Sequence, residues 1–187
     1  MKHTIACLVE NHSGVLARIS GLFSARGFNI DSLAVGTTTD PSVSRMTIVT
    51  RGDEKVLEQI MKQLNKVVDV IKVTDMTTDE TIDRELILVK VNTTTSTRSD
   101  IMQITNTFRA KIVDVSPSWM TLESTGTTSK IDAMLELLQP YGIREIARTG
   151  LISVARRTDL ISAGKKGQSK KIAKGTNESK EEEEIAN

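Results

Sequence analysis

Aromatic residues make up only 3% of this 187-residue chain, and it holds one cysteine and two histidines. So few rings argue against stacking platforms for single-stranded nucleic acid and against aromatic-lined cofactor pockets. A lone Cys7 excludes disulfide scaffolds and Cys-rich zinc sites; beside Ile5, Leu8 and Val9 it reads as a small core filler. Charge of one sign is lacking too, because 25 Lys and Arg face 24 Asp and Glu, a net +1. That balance predicts no nucleic-acid partner. No apolar run approaches the ~20 residues that cross a bilayer. The opening Met1-Lys2-His3-Thr4 leads into an apolar stretch broken by Glu10, too short for a signal segment. A cytoplasmic chain without membrane contact is expected, and its ligand should be small or another protein.

Chemical machinery is scarce as well. Neither G-x-x-x-x-G-K-[ST] nor a G-x-G-x-x-G after a strand occurs, so no standard phosphate loop is present. Cys7 and the imidazoles of His3 and His12 form no nucleophile–base pattern. A metal set of His12, Glu10 and Asp31 can be drawn, but residues so scattered are more often solvated surface. Arg144, Arg148, Arg156 and Arg157 make a basic stripe that Glu145 and Asp159 interrupt, which is the pattern of a mixed solvated face. No catalytic residue, metal or cofactor is therefore assigned to this chain, and it is not expected to be an enzyme on its own.

What is present is periodicity that switches repeatedly. Ile5, Cys7 and Val9 read as a buried strand, Val15, Leu16, Ile19, Leu22 and Phe23 as a helix stopped by Gly27, and Phe28 to Thr37 as a strand. Asp40-Pro41 is a turn before Arg45 to Thr50 returns. Asp53 caps a helix with the stripe Val56, Leu57, Ile60, Met61 and Leu64, and Val67 to Val73 closes the unit. The order β-α-β-β-α-β then recurs: a strand from Glu85 to Val91, a helix marked by Ile101, Ile104 and Phe108, strands at 111–115 and 119–123, a helix with Ile131, Met134, Leu135 and Leu138, and a last strand from Ile143 to Val154.

The predicted fold class is α+β, two tandem ferredoxin-like βαββαβ units and a charged tail. The units span 1–77 and 85–160, joined by a polar linker at 78–84. Residues 161–187 are expected to form a disordered charged tail, Lys-rich and then acidic at Glu181-Glu182-Glu183-Glu184, with a composition too polar to bury. Each unit places two helices on one face of its sheet, which predicts an uncovered opposite face and an unpaired edge that self-association would cover.

Two polar islands interrupt the apolar pattern. At Glu10-Asn11-His12-Ser13-Gly14-Val15-Leu16 a strand turns into a helix, so the free N–H groups of Gly14, Val15 and Leu16 suit a carboxylate and Asn11 suits an α-ammonium or carboxylate. Together they favour a small amino acid. The same residues also make an ordinary turn and N-cap. At Gly27-Phe28-Asn29-Ile30-Asp31-Ser32, Asn29 is a poor strand residue that either ends a turn or meets a ligand or partner.

These residues, with the run Gly21-Leu22-Phe23-Ser24-Ala25-Arg26-Gly27-Phe28-Asn29-Ile30-Asp31-Ser32-Leu33 and the segments Ser44 to Ile48, Arg84 to Val91 and Ile112 to Pro117, resemble the small, regulatory subunits of acetolactate (acetohydroxyacid) synthase. The resemblance is dense through residues 4–76, an ACT domain, and weaker over Thr93 to Thr97 and Trp119 to Thr128. It implies a homodimer of ACT domains paired edge to edge, with valine or a related branched-chain amino acid bound at the seam. Carried over, Asn11, Gly14, Val15 and Leu16 of one protomer and Asn29 and Ile30 of the other hold that effector. The resemblance further implies stimulation and feedback control of a large catalytic subunit carrying thiamine diphosphate, Mg²⁺ and FAD. A rival expectation is a stand-alone ACT-type amino-acid sensor acting on another enzyme or on transcription, although no helix-turn-helix or basic face supports DNA binding.

Overall fold

The computed structural model describes residues 1–156; the tail at 161–187 and the last residues of the second unit lie outside them. The first unit runs β1 (Lys2–Glu10), α1 (Val15–Ala25), β2 (Ile30–Thr37), β3 (Val43–Arg51), α2 (Glu54–Leu64) and β4 (Val70–Asp75). Its antiparallel sheet has the order β2-β3-β1-β4. The second unit repeats this with β5 (Thr81–Asn92), α3 (Arg98–Thr107), β6 (Lys111–Val115), β7 (Trp119–Gly126), α4 (Thr128–Leu138) and β8 (Ile143–Arg148), in the order β6-β7-β5-β8. Two tandem ferredoxin-like units of an α+β fold are thus present.

Each core lies between its sheet and its two helices. In the first unit Ile5, Cys7 and Val9 of β1 and Met46 and Ile48 of β3 meet Val15, Ile19 and Phe23 of α1 and Leu57, Ile60 and Leu64 of α2. The helical residues fall at spacings of three, four and seven or eight, one face of a 3.6-residue period. Asp53 caps α2 by accepting the Val56 N–H at 2.8 Å, and Gly27, at φ 69°, ends the turn after α1 in the left-handed conformation that glycine adopts without a Cβ penalty. The second core is built from Ile87, Val89, Val91, Met120 and Leu122 against Ile101, Ile131, Met134 and Leu138.

Four differences from the sequence reading have physical causes. Strand β4 starts at Val70, because Val67 to Asp69 form a turn closed by Val70 N–H donating to Val67 O at 3.0 Å. Strand β2 starts at Ile30, after Phe28 N–H closes the helix end on Phe23 O. The single last strand breaks at Gly150, φ 81°, into β8 and a separate β9 (Ile152–Ala155). Finally, residues 81–84, read as linker, begin β5 and pair with β9, Thr81 opposite Ala155 and Arg84 opposite Ile152.

That β5–β9 ribbon changes the expectation of an open sheet. The face of the first sheet away from its helices carries Thr47 and Val49, and both are buried. Arg45 Nη2 on the same face donates to Ser153 O at 2.8 Å, and Ser32 Oγ accepts the Leu151 N–H at 3.0 Å. The chain therefore covers part of this face with its own ribbon, which explains why β1 is apolar on both sides.

Cys7 sits at the centre of this arrangement, and burial pushes its thiol up to about 12, against a smaller opposing pull from Arg45. A thiol so protonated is a poor nucleophile. Native protein at pH 8 is expected to be silent toward a thiol reagent such as Ellman's, and to release one equivalent per chain once unfolded in denaturant; rapid labelling of the native state would contradict the buried placement.

Candidate functional site

The first polar island closes the end of β1. Glu10 N–H donates to Asp69 O at 2.9 Å and Asn11 N–H to Ser42 O at 2.7 Å, which fixes the turn against the loops before β4 and β3. Asn11 Nδ2 donates to Pro41 O at 2.9 Å; its Oδ1 accepts nothing among the described residues. Gly14 follows at φ 91° as the N-cap of α1, and no side chain caps the helix. The first-turn N–H groups therefore end at solvent with the positive end of the helix dipole, an arrangement suited to a carboxylate. Gly14 faces open space, with no atom within 4 Å of where a Cβ would stand. Val15 buries its side chain in the core, so only its backbone is available to a ligand, while Leu16 is exposed.

Around this turn lies an ion-pair network that sequence reading missed. His12 Nε2 stands 3.3 Å from both Glu10 Oε2 and Asp69 Oδ1, and Arg18 Nη1 donates to Asp69 Oδ2 at 2.5 Å. Donor atoms of Glu10, His12 and Asp69 come within 4.8 Å of one another. Asp31, placed in this set by sequence, stands elsewhere, paired with Arg51. Arg18 already satisfies the Asp69 carboxylate, so the cluster works as a brace for the turn. The local signal for Asp69 was its charge inside the apolar run Val67-Val68-Asp69-Val70.

The second island sits at the start of β2, the edge strand of the first sheet. Asn29 O accepts from Thr50 Oγ1 at 2.6 Å, and Asn29 Nδ2 donates to Asp31 Oδ1 at 2.7 Å. Arg51 Nε donates to the other Asp31 oxygen at 2.5 Å. The Arg51 bond, and after it the Asn29 bond, holds the Asp31 carboxyl below its ordinary range. Asn29 is exposed, and Ile30 is half-buried against the first core.

Within one chain the islands do not meet. Asn11 is tied to Ser42 and Asn29 to Thr50, opposite ends of β3. At about 3.3 Å per residue along a strand, that is roughly 25 Å. The structure thus places Asn11, Gly14 and Leu16 at one end of β3 and Asn29 with Ile30 at the other.

His12 is predicted to titrate above its ordinary 6.5, chiefly through the Ser13 carbonyl 3.0 Å from Nδ1 and then through the charges of Asp69 and Glu10. A raised folded value means that the brace stabilises fully below the unfolded value and fades as pH rises through the folded one. The ring is exposed, so solvent screens this contribution. An imidazole NMR titration should give a midpoint above 6.5, and Asp69→Asn should lower it part of the way, the Ser13 bond persisting. A midpoint indifferent to Asp69 would remove the brace.

Comparison with known proteins agrees with both units. Residues 5–72 match the model of the AHAS small subunit-like ACT domain, and residues 84–157 match that of the small subunit of acetolactate synthase. The chain is 53% identical over 163 residues to an acetolactate synthase small subunit of Mycolicibacterium smegmatis, covering 87% of this chain and 96% of that one. It is 53% identical over 156 residues to a probable acetolactate synthase small subunit of Archaeoglobus fulgidus, covering 83% and 98%. The crystal structure of the acetolactate synthase small subunit from Thermotoga maritima superposes with a TM-score of 0.77 at 39% identity, over 84% of this chain and 98% of that one. With both family models matched in chain order and relatives aligned over nearly their whole length, the chain belongs to the family of acetolactate synthase small subunits.

Proposed function

We propose that this chain stimulates the large catalytic subunit of acetolactate synthase and makes it sensitive to feedback by valine or another branched-chain amino acid. The observation that carries the effector reading is the separation of the two half-sites along β3. Strand β2 is the sheet edge beside β3, and its outer side has no partner among the described residues. Antiparallel pairing of β2 with its copy would bring the start of one strand, at Asn29, beside the end of the other. That end leads through Asp40 and Pro41 to the carbonyls that hold Asn11. A homodimer formed this way would close two equivalent sites, each with helix N–H groups from one protomer and an amide side chain from the other.

An α-carboxylate suits the uncapped N-terminus of α1, the ammonium suits the oxygens of Asn11 or Asn29, and a branched apolar side chain suits exposed Leu16 and half-buried Ile30. A ligand bridging two protomers favours whichever dimer geometry it fits, and by linkage the bound catalytic subunit responds to that geometry. The reading assigns pyruvate chemistry, with thiamine diphosphate, Mg²⁺ and FAD, to the large subunit in the cytoplasm, and leaves this chain the task of binding and transmitting.

Gly14→Asp tests the site. Its position is open and at positive φ, which Asp tolerates better than most residues, so the variant should fold. Its carboxylate would stand where the effector's belongs. With purified large subunit turning over pyruvate, wild type should stimulate and valine should reverse the stimulation. The variant should still stimulate while needing roughly 5-fold to 150-fold more valine, the span of ordinary coupling energies. Unchanged valine sensitivity in Gly14→Asp would place the effector elsewhere.

A further inference from the structure

The proposed effector contact Asn29 stands immediately before β2, and three residues on, at Ser32, the two units touch. We infer that Asp31 and Ser32 form the joint that carries effector occupancy to the second unit, through the close approach of Gly150 and Leu151. The inference rests on the effector reading above and gives it a route.

Asn29 Nδ2 is bonded to Asp31 Oδ1 at 2.7 Å, so an effector group that turns this amide toward itself alters the hold on Asp31. Asp31 sits in an irregularity of the ladder: Ile30 opposes Thr50 and Ser32 opposes Val49, leaving Asp31 as the extra residue. A bulge of this kind bends a strand and aims its neighbours, and a change in what holds it re-aims them. The neighbour is Ser32. Its Oγ accepts the Leu151 N–H at 3.0 Å, and Gly150 approaches so closely that a Cβ there would stand 2.5 Å from that oxygen. Gly150 is at φ +81°, a conformation that favours glycine, and any Cβ there would push the Ser32 hydroxyl aside.

The second unit is attached directly behind this contact. Leu151 is buried, and β9 follows it at once. Ser153 of β9 takes Arg45 on its carbonyl at 2.8 Å and donates its Oγ to Asp83 at 2.6 Å, so the ribbon is held to the sheet on one side and to β5 on the other. Next to the joint a cleft of about 430 Å³ separates the units, lined by Asp31 and Arg51 on one side and Asp132 and Arg148 on the other. Arg51 pairs with Asp31 inside the first unit, whereas Arg148 pairs with Asp132 and Glu85 inside the second. None of these three ion pairs spans the cleft, so its walls can shift without breaking one. Ser32, three residues from Asn29, makes a bond to Leu151 that does span the units.

The test compares wild type with Ser32→Ala, which removes the acceptor and adds no bulk, and with Gly150→Ala, which forces the contact apart. Valine binding to each small subunit is measured by calorimetry, and stimulation and valine inhibition are measured on the reconstituted holoenzyme. Hydrogen exchange of the Leu151 amide with and without valine gives a readout independent of turnover. Ser32→Ala should bind valine as wild type does and still stimulate, while the concentration needed for inhibition rises by roughly 5-fold or more. The valine-dependent change in Leu151 exchange should disappear with it. Should Gly150→Ala fail to fold, Ser32→Ala alone decides. Normal inhibition together with normal binding in Ser32→Ala overturns the joint and leaves the effector site standing. A wild-type chain that stimulates but binds no branched-chain amino acid overturns the effector reading, and the joint falls with it.

Discussion

The ladder between β1 and β3 is the constraint on which the rest depends. Its antiparallel register runs without interruption from Lys2 opposite Arg51 to Glu10 opposite Val43. On the helix side it carries Ile5, Cys7, Val9, Met46 and Ile48, most of the sheet's share of the first core. On the other side it carries Ala6, Thr47 and Val49, which the β5–β9 ribbon helps to bury. A one-residue slip would exchange these two faces and expose one set, so burial on both sides fixes the register more strongly than the backbone bonds alone. A rigid ladder has functional weight because its length keeps Asn11 and Asn29 apart.

The proposed binding site, divided between the ends of one strand, could not be completed by local flexing. Closing roughly 25 Å within the chain would mean unfolding β3, whereas pairing two copies at an edge needs no internal change. On the proposed reading the division would tie ligand binding to assembly, which is the property a feedback sensor requires. It also accounts for the composition. Such a site needs backbone N–H groups, amide side chains and an apolar wall; it needs neither a nucleophile nor a perturbed acid–base pair. The buried thiol of Cys7 and the braced imidazole of His12 are structural in the same sense, one filling the core and the other holding a turn.

Most of the fold was legible in the sequence because the two apolar periods are strongly expressed. The stripe from Val56 to Leu64 and the Asp53 cap, for example, are both local signals. Asn11, Gly14 and Asn29 were legible for a related reason: polar or glycine residues where an apolar element should start or continue stand out. What escaped was set by contacts distant in sequence. Asp69 reaches Glu10, His12 and Arg18 only after α2 folds back, and no window of a dozen residues contains that information. The break at Gly150 was hidden because Ile143 to Val154 is apolar enough to read as one strand. Its meaning appears only with Ser32 in place, more than a hundred residues earlier.

Strand β5 is the last piece of the mechanical logic. Its first residues, Thr81 to Arg84, pair with β9 against the first unit, and its remainder pairs with β7 and β8 at the centre of the second sheet. One continuous strand thus belongs to both bodies. Pairing passes from β9 at Arg84 to β7 at Glu85 without an unpaired residue between them, so a tilt of the ribbon has a short, hydrogen-bonded path into the second sheet. A polar linker at this position would have uncoupled the units. Extending β5 across the boundary instead ties the second unit to the ribbon that covers the first sheet, which is the connection the proposed effector site would need in order to reach a surface read by another subunit.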